Sequence, residues 1–175
     1  MKLLVNLVAA VAVISSSTIG HADEPSAKPP ELQVLDRYVG TWDEIVEFKP
    51  AVWTPEKSTS STTTTRKWIL NGTMIENKGA WTPQAEFLHL MTFDKSKNEY
   101  RQWYYDKDNL VPQESHGKWD AATQTFTFTG TLGDGIRTSS QQRFVDKDHL
   151  TWTMIAKDSD GKVVLDMEGN CVRKK

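Results

Sequence analysis

The chain has 175 residues, a formal net charge of -2 and 25% charged residues whose two signs are interleaved throughout. It offers no basic stripe to a phosphate backbone and carries no acidic tail, which argues against nucleic acid as a partner. Its single cysteine, Cys171, has no partner within the chain, so stability must come from packing or sheet closure.

The chain opens with "MKLLVNLVAAVAVISSSTIGHADE": Lys2, an apolar run from Leu3 to Ile14, and small residues around Gly20-His21-Ala22. The run is too short to span a bilayer and has the layout of a secretory signal peptide, residues 1–22, cleaved after Ala22. The expected product is a secreted or periplasmic protein with no membrane insertion. Its roughly 150 residues are the usual size of one domain. Next, "DEPSAKPP" at 23–30 is polar and Pro-rich, a tether. The domain then spans 31–175. In "ELQVLDRYVG", Leu32, Leu35 and Tyr38 or Val39 recur at helical spacing, with Pro30 in the first turn and Gly40 as the stop. This predicts a short helix that plugs one end of the domain.

Downstream the pattern has period two. "TFTFT" at 125–129 alternates threonine with Phe126 and Phe128, and "LTWTMIA" sets Leu150, Trp152 and Met154 against Thr151 and Thr153. Asn71-Gly72 and Asp160-Gly161 read as two-residue hairpin turns. Strands are predicted at about 41–49, 58–70, 73–81, 86–93, 99–106, 111–119, 124–130, 137–145, 150–157 and 162–173. With no crossover helix between them, the fold class is all-β: an antiparallel up-and-down barrel of about ten strands, with a β-sandwich as the competing architecture.

A barrel of this size encloses a cavity unless bulky side chains fill it. Seven tryptophans, six phenylalanines and four tyrosines supply either a solid core or an aromatic wall. "STSSTTTTR" (58–66) and "RTSSQQR" (137–143) are polar on both faces. Either water or a polar ligand group lies on their inner side, or they run past the barrel's end. The candidate lining is Trp68, Phe87, His89, Met91, Trp103, Trp119 and Trp152. His89 shares a strand face with Phe87 and Met91; it is either a haem ligand or pocket polar group, or a core histidine bonded to a neighbour. His116 and His149 read as surface residues. Glu44 and Glu76 either point inward, where a buried carboxylate would have a raised pKa suited to acid-base work, or form internal salt bridges with Arg66 or Arg101, or face water. Cys171 reads as a small apolar residue of the last strand. No cysteine or histidine pair has zinc-ligand spacing, "DKDNLV" and "DSDGK" read as turns rather than calcium loops, and no nucleophile elbow is present. No metal site and no catalytic residue are predicted.

Gly40-Thr41-Trp42 after a short helix resembles the G-x-W signature of lipocalins and their calycin relatives. The order of "VGTW" (39–42), "WILNGTMIE" (68–76), "FDKSKNEYRQWYYD" (93–106), "GKWDAATQTFTFTG" (117–130), "DKDHLTWTM" (146–154) and "RKK" (173–175) is similar to a bacterial lipocalin-like family catalogued as a domain of unknown function. The resemblance implies a calycin barrel in which Gly40, Trp42 and Arg173 form a structural latch, with Arg173 stacked on Trp42 at the closed end. Nitrobindins, haem-binding calycins, share the G-x-W opening, but Asp43-Glu44 stand where those proteins usually continue with glycines.

The functional expectation is an exported, non-enzymatic barrel that holds a small, largely apolar ligand and needs no cofactor. Two alternatives are a haem-binding or redox calycin acting through His89, and a solid cell-envelope module that binds partners with its loops.

Overall fold

The structure is a computed structural model and describes residues 28–133 and 135–175. The expected signal peptide and most of the tether lie outside the described residues. The tether's end is not free: Lys28 Nζ meets Asp36 Oδ1 at 2.5 Å and lies 3.9 Å from the Trp68 ring centroid. Helix α1 (Pro30–Val34) runs into a 3-10 turn (Leu35–Tyr38). Pro30 fits the first turn because its missing N–H is not needed there, and the Pro29 carbonyl accepts from Leu32 and Gln33 N–H at 3.0 Å. Leu35 and Tyr38 are the residues this segment buries. The helical segment stops at extended Val39, one residue earlier than expected, and Gly40 is already in the first strand.

Ten strands follow: β1 (Gly40–Phe48), β2 (Ser58–Ile69), β3 (Met74–Ala80), β4 (Glu86–Asp94), β5 (Glu99–Asp106), β6 (Asn109–Asp120), β7 (Thr125–Leu132), β8 (Ile136–Phe144), β9 (His149–Lys157) and β10 (Val163–Arg173). Each pairs antiparallel with its sequence neighbour, and β10 returns to β1, closing a barrel rather than a sandwich. Closure removes both sheet edges, so the strands' backbone groups are paired all the way round.

The two hairpin turns sit where expected but are longer than two residues. At the first, pairing ends at Ile69↔Met74, and Leu70, Asn71 and Gly72 all take positive φ. At the second, Asp158 Oδ1 accepts the N–H groups of Asp160 and Lys162 at 3.1 and 2.9 Å, and Gly161 (φ 82°) returns the chain to the sheet.

Because the helix leads directly into β1, it shares one barrel end with the β2–β3, β4–β5, β6–β7 and β8–β9 turns. That end is packed solid. Trp42, Phe126 and Phe128 are wholly buried there, and Tyr38 lies edge-on to Phe144 and Tyr100 edge-on to Phe126, at 4.9 and 4.8 Å between centroids. Beneath them the start of β1 and the end of β10 are tied. The Arg173 guanidinium lies 4.1 Å from the Trp42 centroid and donates to the carbonyls of Arg37 (2.8 Å), Lys147 (2.9 Å) and Val39. Gly40 is required beside it: its φ is 133°, and a Cβ would stand 2.6 Å from Arg173 Nη1.

Candidate functional site

Above the packed end the interior opens into a cavity of about 430 Å³, with Tyr38 of the plug at its border. Alternation on β1 builds one wall in order: Trp42, Glu44 and Val46 point inward, and Asp43 and Ile45 face water. On β2, Thr64 and Arg66 are the buried partners of the exposed Thr63 and Thr65, so the threonine run is polar outside for water and polar inside for an ionic layer. Leu132, Leu150, Met154, Leu165 and Met167 supply much of the apolar wall.

The aromatic rings lie along this wall instead of filling it. Trp81, Phe87 and Tyr104 form a stack, with centroids 5.1 and 5.6 Å apart and planes tilted by 23° at each step. Trp152 reaches across β10 to β1. Its Nε1–H donates to Glu44 Oε1 at 2.6 Å, and its ring takes the space over Gly169, where a Cβ would collide with indole atoms. Trp53, from the β1–β2 connection, closes part of the mouth and is 49% exposed.

The polar groups collect toward the floor. Arg66 Nη2 donates to Glu44 Oε2 at 3.4 Å, and both residues are about 5% exposed. Arg66 Cζ also lies 5.2 Å from the Trp42 centroid, so that indole separates the cavity's cation from Arg173 below. A second chain of bonds crosses the interior. Tyr38 donates to Gln142 Oε1 (2.6 Å), and Gln102 Oε1 accepts from Gln142 Nε2 (3.3 Å) and from His89 Nε2 (3.0 Å). With Gln102 as acceptor, the His89 proton sits on Nε2. Burial holds the His89 pKa down at about 4, outweighing the Gln102 bond, with Arg66 adding a smaller push in the same direction; the imidazole is neutral. Burial raises the Tyr38 and Tyr104 hydroxyls above their ordinary range.

Of the candidate lining residues, Phe87, His89, Met91 and Trp152 border the cavity together. Three others do not. Trp68 faces inward but below the cavity, donating from Nε1 to Asp36 Oδ1 at 2.7 Å beside the helical segment. Trp119 packs in the closed end, 4.5 Å from the Phe126 centroid and 5.4 Å from Arg37 Cζ. Trp103 is on the outer face, because Gln102 and Tyr104 take the inward positions of β5; Arg101 lies 5.3 Å from its ring. Glu76 also faces outward, toward Lys67 and Lys78 at 3.5 and 3.1 Å. His149 pairs with Asp146 at 2.7 Å in an exposed turn. Cys171 is a buried thiol whose pKa burial raises to about 12. Trp53, Trp81, Asn77 and Gln102 were not among the candidates; Trp53 stands in the β1–β2 connection, and Trp81, the last residue of the predicted third strand, lies one residue past the end of β3.

These features define a class: a closed antiparallel barrel, plugged at one end, with an aromatic-walled interior that opens at the other. The chain belongs to the family described as a protein of unknown function, DUF1579, whose model matches residues 28–173. No curated protein matches the sequence. Among solved structures, it is similar to the S-type phycobiliprotein lyase of Guillardia theta, at 13% identity over 82% of this chain and 92% of that one, with a TM-score of 0.59. It is also similar to Rv2717c of M. tuberculosis, at 10% identity over 84% and 99%, TM-score 0.64. A DUF3598-family protein of Nostoc punctiforme matches at 13% identity over 87% of this chain and 53% of that one, TM-score 0.53. At these identities the likeness is one of fold.

Proposed function

We propose that the protein is an exported, non-enzymatic β-barrel of the calycin type that binds a small, largely apolar molecule in its interior. The observation that carries the reading is the cavity of about 430 Å³, open at one end and bordered toward the plugged end by Tyr38 and Arg66. Its size and makeup, apolar and aromatic walls with a few convergent polar groups, are those of small-molecule sites. The packed interior that a solid interaction module requires is confined to the plugged end. The lyase relative, named for an enzyme that handles a phycobiliprotein, is in keeping with a barrel that accommodates a small molecule. The calycin assignment is supported by the order of the G-x-W opening and a late arginine stacked on its tryptophan.

Trp53, Trp81 and Trp152 border the cavity, so binding is expected to change intrinsic fluorescence. Titration with lipophiles, alongside native mass spectrometry of gently purified protein, tests the reading; no bound molecule and no saturable response would reject it. Export is tested by N-terminal sequencing of the protein from the cell envelope or medium, where a chain beginning at Asp23 is expected. Haem through His89 is an outcome of the same assays, since a Soret band on titration that His89→Ala removes would replace the non-enzymatic reading.

A further inference from the structure

The cavity's charge and its unmet hydrogen bonds narrow the class of ligand, given that the cavity is the binding site. Among the described residues, five ionisable side chains border it: Tyr38, Glu44, Arg66, His89 and Tyr104. Two of them, the Glu44 carboxylate and the Arg66 guanidinium, form an ion pair at 3.4 Å. Among the described residues that border the cavity, two buried polar atoms lack partners: Arg66 Nε, a donor, and Asn77 Oδ1, an acceptor; a third, Thr64 Oγ1, sits at the next inward position of β2, behind the lining. Arg66 and Asn77 are register partners on β2 and β3, so the donor and the acceptor come from adjacent inward positions. A buried polar atom without a partner is costly, and a ligand group that satisfies it gains what the free protein lacks.

We propose that the site selects an uncharged lipophile whose head both accepts and donates a hydrogen bond, a hydroxyl or primary amide, in preference to a carboxylate. The head would accept from Arg66 Nε–H and donate to Asn77 Oδ1, with the apolar tail along the Trp81–Phe87–Tyr104 stack toward the mouth. A carboxylate meets Arg66 but brings a second anion next to Glu44, leaving the cavity with an unbalanced negative charge and Asn77 Oδ1 facing an acceptor. Desolvating that extra charge outweighs the added contact.

Fluorescence titration at neutral pH with decanol, methyl decanoate and decanoate tests this. Decanol is expected to bind at least about tenfold more tightly than decanoate, with the ester, an acceptor only, between them. In Glu44→Gln, where Arg66 has lost its counter-charge, the order is expected to reverse in favour of decanoate. Decanoate as the tightest wild-type ligand would overturn the proposal while leaving the cavity a binding site, as would an unchanged order in a folded Glu44→Gln protein. If that variant does not fold, the wild-type ranking decides. Saturable binding of none of the three would overturn this inference, and the proposed function falls with it when native mass spectrometry also finds no bound molecule.

Discussion

His89 titrates against its surroundings, and the folded protein pays for that in acid. Its pKa is about 4 against 6.5 for a free imidazole, so as pH falls the unfolded chain takes up the proton first. Stability is therefore expected to decline between about pH 6.5 and 4 and level off below, by roughly 3 kcal/mol from this residue. His89→Gln removes the titration and keeps a donor for Gln102; denaturant unfolding across this window should then show a flatter profile, and an unchanged one would acquit His89. Arg173 acts by geometry. Its planar fork spans three carbonyls and an indole face, so Arg173→Ala is expected to cost about 2–4 kcal/mol by equilibrium denaturation, and Arg173→Lys to recover little of it. The latch residues were legible in the sequence through their resemblance to a known pattern. The wall residues were harder. "RQWYYD" in β5 carries large side chains on both faces, so nothing local decides that Gln102 and Tyr104 point inward and Trp103 outward.

Among the elements, β10 shows how a strand's smallest residue shapes the interior. Gly169 lies opposite Trp152 in the ladder and leaves the space that lets the indole lie across β10 to Glu44. Gly169→Ala is expected to displace the ring, break its bond to Glu44 and destabilise the protein by about 1–3 kcal/mol. The displacement should appear as a changed near-ultraviolet dichroism signal, and an unaltered spectrum at wild-type stability would contradict it. Strand β2 makes the complementary point. Its threonine run has strong β propensity but no apolar face, and composition alone left its placement open. Packing resolves it through Arg66, which needs polar company on the inside. The strand boundaries were readable within a residue or two because alternation and turn residues are local signals. Loop lengths were not, since Asn71 and Gly72 mark their positive φ by residue type but Leu70, which takes it too and lengthens the turn, does not.

For the whole molecule, the barrel divides its interior between stability and recognition. The plugged half buries Leu35, Tyr38, Trp42, Phe126 and Phe128, and the open half keeps a cavity whose lining gives up part of that packing. This division follows from strand count and the plug; which aromatic went to which half depended on orientation, and the sequence does not encode that locally. Closure has its own order of events. Nine of the ten strand pairings join consecutive strands through short connections, but β1 and β10 meet across nearly the whole domain, with Arg173 bonded to Val39 134 residues away. Bringing those ends together carries the largest loop-closure entropy, so the seam should form after the rate-limiting step of folding. Arg173→Ala should then speed unfolding in stopped-flow measurements and leave the refolding rate nearly unchanged. The latch would thus act as a brake on opening, setting the lifetime of the closed ring more than the speed of its assembly.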